Sequence, residues 1–153
     1  MANLFPTGYE NEVVRFTDVE ADKTVGYRSG VAFDYQLEDF PRDGMHKLMD
    51  STGIESWKAW CMNCLRTERG KHLAYNTDFG IDMDAALKAG SREEAESILT
   101  REITEALMAD PYERTAYISD ITFTWESLDT VAVSVTIHGI DDVTIDISTY
   151  LAR

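Results

Sequence analysis

Cysteine and proline are scarce in these 153 residues, at two and three copies, and no apolar run is longer than a few residues. Cys61 and Cys64 alone cannot build a disulfide framework, which excludes the small cross-linked scaffolds of secreted proteins. A membrane-spanning helix needs about 20 consecutive apolar residues, and nothing in the sequence approaches that length. The opening residues Met1-Ala2-Asn3-Leu4-Phe5-Pro6 lack the basic region and apolar core of a secretory leader, so the expectation is a chain folded in the cytosol with reduced thiols. Positive charge is also in short supply. Lys+Arg number 14 against 28 Asp+Glu, a formal net charge of −14, which argues against binding a phosphate backbone or an anionic membrane. Neither nucleic acid nor membrane is expected as a partner.

The familiar catalytic signatures are missing as well. There is no Gly-x-Ser-x-Gly, His-Glu-x-x-His or Gly-x-x-x-x-Gly-Lys, so serine hydrolases, zincins and P-loop enzymes find no support. Asp78-Phe79-Gly80 spells the metal-binding triplet of protein kinases, but no glycine-rich loop, strand lysine or His-Arg-Asp loop accompanies it. Phe79 reads instead as a loop anchor, Gly80 as a turn and Asp82 as the start of a helix. Cys61-x-x-Cys64 followed by His72 offers three zinc-type ligands where a structural site needs four. His46 and His138 are remote in sequence, and both cysteines fall on an apolar stripe where thiols behave as small hydrophobes. Acid pairs such as Asp82/Asp84, Glu93/Glu94 and Asp141/Asp142 read as solvated faces and turns, because none sits in an apolar run that would raise a pKa. No catalytic residue, metal or cofactor is assigned, and an enzyme is not expected.

What the chain does contain is the material of one globular domain. It is 44% hydrophobic and 10% aromatic, and a chain of this length buries roughly two-thirds of its unfolded surface. Residues 1–26 read as an N-terminal arm, with Val13, Val14 and Phe16 as its apolar anchors, and residues 27–153 as a single α+β domain. Val31, Phe33 and Tyr35 alternate with small or polar residues and predict an early strand over 31–36. Thr52-Gly53-Ile54-Glu55 is a capping box. Behind it Trp57, Trp60, Cys61, Cys64 and Leu65 form one helical stripe, ended by the cationic run Arg66 to His72 with Gly70 inside it. Asp82 predicts a short helix to Ala89. Ser91-Arg92-Glu93-Glu94 is a second capping box, and Ala95, Ile98, Leu99, Ile103, Ala106 and Leu107 predict a long helix over 92–108 that Pro111 forbids to continue.

Beyond Pro111 the period changes from 3.6 to 2. Ile121, Phe123 and Trp125, then Val131 to Ile137, then Val143, Ile145 and Ile147 give three alternating runs separated by reversals at 127–130 and 139–142. The fold class is therefore α+β: an early strand, two or three helices, then a C-terminal three-stranded antiparallel meander packed on the long helix. The densest cationic cluster of this acidic chain is Arg66-Thr67-Glu68-Arg69-Gly70-Lys71. Arg69 and Arg114, where buried, suit bidentate pairing with carboxylates of the fold or of a neighbour.

Taken in order, the Trp/Leu-striped helix, Leu65-Arg66-Thr67-Glu68-Arg69-Gly70, Tyr75-Asn76-Thr77-Asp78-Phe79-Gly80, the acidic helix ending Ala106-Leu107-Met108-Ala109-Asp110-Pro111 and the following strands resemble one family. It is the baseplate wedge, or sheath-initiator, family of contractile phage tails and phage-tail-like particles, in particular its branch from Gram-positive bacteria. The likeness runs from about Gly30 to Tyr150 and is sharpest from Trp57 to Pro111. Many relatives carry Glu-Pro-Arg where the long helix meets the sheet. This chain has Asp110-Pro111-Tyr112-Glu113-Arg114, with Pro111 matching by position, Tyr112 in the place of the arginine and Arg114 two residues further on.

The resemblance implies a structural protein without a catalytic centre, located in the baseplate of a virion or phage-tail-like particle and assembled in the bacterial cytoplasm. Its implied partners are other wedge proteins, the tail sheath and tube-proximal proteins, met six-fold around the tail. The partner-binding residues expected are Arg69, Phe79, Pro111, Arg114, Ile145, Ile147 and Tyr150. The last strand, ending near Tyr150-Leu151, can either pair with a partner strand or close the core. The alternative function is a small acidic regulatory or inhibitor protein that binds a basic partner. Salt separates the two, since a complex built on charge mimicry dissociates steeply with ionic strength. The arm is expected to dock on a neighbouring subunit through Val13, Val14 and Phe16.

Overall fold

A computed structural model describes residues 26–75 and 78–152. The arm anchors Val13, Val14 and Phe16 lie outside the described residues.

The chain opens with a two-residue strand β1 (Gly30–Val31) paired antiparallel to β2 (Asp50–Ser51). The alternation through Tyr35 predicted a longer strand, and the side chain of Asp34 explains why it stops. Its Oδ1 accepts from the N–H groups of Gln36 and Leu37 at 2.8 and 3.1 Å, folding the backbone into a local turn that competes with a strand ladder.

Helix α1 (Gly53–Arg66) starts as its capping box requires: the Glu55 N–H donates to Thr52 Oγ1, and the Thr52 N–H donates to the Glu55 carboxylate. Trp57, Cys61, Cys64 and Leu65 are buried, with Trp60 packed at the margin of the core. A short helix α2 (Met83–Leu87) is capped by Asp82 and ends at Lys88, one residue before the predicted limit. Helix α3 (Arg92–Met108) has the predicted bounds. Only half of its expected capping box forms. Ser91 Oγ accepts from the Glu94 N–H, but the Glu94 carboxylate takes the N–H of Gly90 instead of that of Ser91.

The C-terminal sheet has the order β3-β4-β5, all antiparallel, from β3 (Thr115–Trp125), β4 (Thr130–Gly139) and β5 (Thr144–Ala152). Between β4 and β5 the register runs unbroken from Thr130↔Ala152 to His138↔Thr144. Between β3 and β4 it slips twice, at Thr115/Tyr117 and Ile118/Asp120. These bulges bring Ile118 and Ile121, an odd number of residues apart, both to the half-buried state and into the same core margin. The inner face of the sheet carries Val131, Val133, Val135, Ile137, Ile145, Ile147 and Leu151, which join Trp57, Leu65, Leu99, Ile103 and Leu107 in one hydrophobic core. Helix α1 lies over β5 and helix α3 over β3, giving two layers.

Helix α1 and the sheet come close together at Gly139. Tyr27 stacks obliquely on Trp57 and donates from its hydroxyl to the Ile140 carbonyl at 2.8 Å. A methyl group at position 139 would overlap that hydroxyl and the Trp57 ring, whereas nothing stands near a methyl at Gly44. Gly139→Ala is therefore expected to cost about 1–3 kcal/mol by overpacking, and Gly44→Ala to stay within about 0.5 kcal/mol of the parent, both read from urea unfolding midpoints.

Candidate functional site

The end of α3 is built around one carboxylate. Ala109 caps the helix, Pro111 prevents its continuation, and Asp110 turns its side chain back over the following residues. Its Oδ2 accepts from the Arg114 N–H at 3.0 Å and from Arg114 Nε at 2.8 Å, while its Oδ1 accepts from Arg114 Nη2 at 2.8 Å and from the Tyr112 N–H at 3.3 Å. Both side chains are buried. A planar guanidinium matched to both oxygens is the strong form of this interaction. The turn places Glu113 at φ +52°, and the Arg114 carbonyl accepts from the Ile140 N–H at 2.9 Å, tying the turn to the β4–β5 reversal. The Arg114 guanidinium also lies over the rings of Tyr112 and Trp60, at 5.0 and 5.8 Å. Arg28 sits over the half-exposed Tyr112 at 4.7 Å.

The cationic loop after α1 is anchored in a similar way. Residues 67–69 run beside 80–81: the Arg69 N–H donates to the Ile81 carbonyl and the Ile81 N–H to the Thr67 carbonyl, each at 3.0 Å. Gly80 is needed at this contact, because it holds φ +94° and its Cβ position lies 2.5 Å from the Thr67 oxygen. Arg69 Nε donates to the Gly80 carbonyl at 3.0 Å, and its Nη1 pairs with Glu102 at 3.0 Å. Glu102 is buried in α3, pairs also with Arg101 at 3.1 Å and accepts from the Asp82 N–H at 3.3 Å. One carboxylate thus joins the loop after α1, the start of α2 and the middle of α3.

Four of the seven expected partner-binding residues share this side of the molecule. Phe79 stacks on Tyr75 at 4.5 Å and meets Trp60 edge-on at 5.8 Å, so Trp60 stands between Phe79 and Arg114, with Arg69 linked through Gly80 and Pro111 exposed beside Asp110. The other three are elsewhere. Ile145 and Ile147 are buried in the core, which leaves the backbone of β5 rather than those side chains to face a partner. Tyr150 is half-exposed on the opposite face of β5, where the nearby Glu126 charge, then its hydrogen bond, raises the phenol pKa. Glu102 and Arg28 were not singled out from the sequence, and Trp60 and Tyr112 were named there only as a stripe residue and as the residue in the place of the family arginine. Glu102 had a signal: it follows Leu99 by three and precedes Ala106 by four, on the apolar stripe itself.

Cys61 and Cys64 face the core, and Cys64 Sγ lies 3.6 Å from the Ala106 carbonyl. Burial pushes the Cys64 thiol up to about 11 and raises that of Cys61 well above the usual thiol value. At pH 8 the Cys64 thiolate fraction is then about one in a thousand, so both thiols should resist alkylation in the folded protein and react fully in denaturant, as mass spectrometry would show. For the buried pair, Asp110→Ala is expected to destabilise by about 3–5 kcal/mol, since it strands the Arg114 charge, and the double variant Asp110→Leu with Arg114→Met by distinctly less. Urea unfolding of the three proteins checks both.

No curated protein matches the chain as a relative. A family does. Residues 30–142, from β1 to the end of the 3-10 turn that precedes β5, match the family described as contractile injection system sheath initiator. This region holds the three helices of the described residues, the Arg114–Asp110 and Arg69–Glu102 ion pairs and the first two strands of the sheet, so the chain belongs to the contractile injection system sheath initiators.

Proposed function

We propose that this sheath initiator works as a structural wedge subunit of the baseplate, connecting it to the tube-proximal proteins and presenting the first template for the sheath. It does so without catalytic turnover. The observation that carries this reading is the family match over residues 30–142. Its neighbours in this reading are other wedge proteins and the first sheath ring, arranged six-fold around the tail, one of the closed cyclic symmetries open to such assemblies, within a particle assembled in the host cytoplasm. Nucleic acid and membrane have no part in it. The strand β5 supports the sheath contact: it is an edge strand, paired on one side with β4, and an edge of this kind takes a partner strand by backbone hydrogen bonding. Arg69, Phe79 and Pro111 make up the side turned toward the wedge, and the buried Arg114, paired inside the fold with Asp110, supports that side from within rather than touching a partner.

The test is genetic and visual. Particles are produced in the host with the gene for this chain deleted and then restored, and are viewed by electron microscopy. Baseplates and tubes without extended sheaths, rescued by the restored gene, are expected. Sheaths of normal length without the chain would overturn the reading. So would capture of the tagged chain with one basic partner alone, lost at high salt, which would favour the acidic inhibitor.

A further inference from the structure

The loop between β1 and β2 is an ordered lobe that packs Tyr35 against the core and leaves several large apolar residues on the outside. Asp34 Oδ1 holds one turn, as described, and Asp43 Oδ1 holds a second by accepting from the Met45 and Lys47 N–H groups at 2.8 and 2.9 Å. Backbone hydrogen bonds close the stem of each turn, Asp34 N–H to the Asp39 carbonyl and Asp43 N–H to the Lys47 carbonyl, both at 2.9 Å. Met49 joins the lobe to both sides, donating to the Pro41 carbonyl and accepting from the Ala32 N–H. The rings of Phe33 and Phe40 meet edge-on at 5.1 Å. A segment whose backbone groups are satisfied internally has no need to expose apolar side chains for its own folding. Yet Leu37 is 76% and Met45 87% exposed at the two turns, with Phe40, Leu48 and Met49 also in solvent.

We infer that this lobe is a docking surface for an amphipathic segment of a partner protein that has an apolar ridge flanked by Lys and Arg. Large apolar side chains gathered on one surface mark interaction sites, and methionine adapts its shape to what covers it. The charge decides which partner. Between β1 and the end of β2 the lobe carries Asp34, Glu38, Asp39, Asp43 and Asp50 against Arg42 and Lys47, in a chain of net charge −14, while the adjoining Arg66 of α1 lies over Tyr35 at the lobe's inner side. A second copy of the chain would bring acid against acid, and an anionic lipid surface would be repelled in the same way. A basic rim around an apolar ridge satisfies both the exposed carbon and the surrounding carboxylates.

The inference is tested by placing a photo-crosslinking amino acid at Leu37 or Met45 in the full chain, in host cells producing the protein, and sequencing the crosslinked peptide. The crosslink is read on whole cells, so it stands or falls independently of incorporation into particles. A partner segment with apolar residues flanked by Lys or Arg is expected. A second copy of this chain, its own residues 1–25, an acidic segment or no crosslink at all would overturn the inference. In parallel, Leu37→Ser with Met45→Ser should leave the melting temperature within about 2 °C of the parent, since neither residue is in the core. It should lower the crosslink yield from a probe at Phe40 by about tenfold or more. An unchanged yield would also overturn it.

Discussion

A carboxylate and a guanidinium four residues apart, both shut away from water, determine how the helical half of this protein joins its sheet. Asp110 receives four donors, the backbone N–H groups of Tyr112 and Arg114 and two from the side chain of Arg114. Together they bend the chain through a turn that would otherwise leave several polar groups unsatisfied. The direction of β3 follows from this turn, and with it the place of the sheet under α3 and α1. Arg114 also passes its backbone oxygen to Ile140, so the same residue reaches the far reversal of the sheet. Replacing this pair with apolar residues would retain volume but not the directional bonds that specify a single turn geometry.

The second buried carboxylate distributes its bonds differently. Glu102 faces the loop after α1, the N-terminus of α2 and its own neighbour Arg101. It therefore holds loops to a helix where Asp110 holds a helix to a strand. Between them, Trp60 contacts both the Phe79 loop and Arg114. The irregular segments on this side are consequently fixed to the two long helices by charge and aromatic contact. The regular elements are held mainly by apolar burial, each fully covered aliphatic side chain contributing about 1.5–3 kcal/mol.

Much of the fold was legible because local chemistry and tertiary packing agree in it. The Thr52–Glu55 box, the Asp82 cap, the helix over 92–108 and the three alternating strands are all written in spacing that needs no distant partner. The parts that were not legible depend on a choice between competing hydrogen bonds. Alternation through Val31, Phe33 and Tyr35 pointed to a strand, but the short side chain of Asp34 captured the backbone first. Glu94 chose the Gly90 N–H over that of Ser91. The bulges of β3 broke the period at Ile118 without any glycine or proline to announce them. At the site, Arg69 and Arg114 were recognisable as candidates for buried pairing. The Asp110 partner of Arg114 was available from the helix-turn spacing, whereas Glu102 and Arg69, 33 positions apart by number, meet only because α1 and α3 pack side by side.

The two edges of the sheet are not equivalent. At β3 the register slips twice within six residues, and such bulges add local twist and interrupt the regular spacing of outward N–H and C=O groups. At β5 the backbone keeps step with β4 over all nine of its residues. A sheet with one irregular and one regular edge has a built-in sense of direction: it can be lengthened on one side and is blunted on the other. In the proposed reading, a polymer started from β5 would inherit that polarity from the first subunit, while the bulges of β3 work against copies of this chain stacking into a two-sided ribbon.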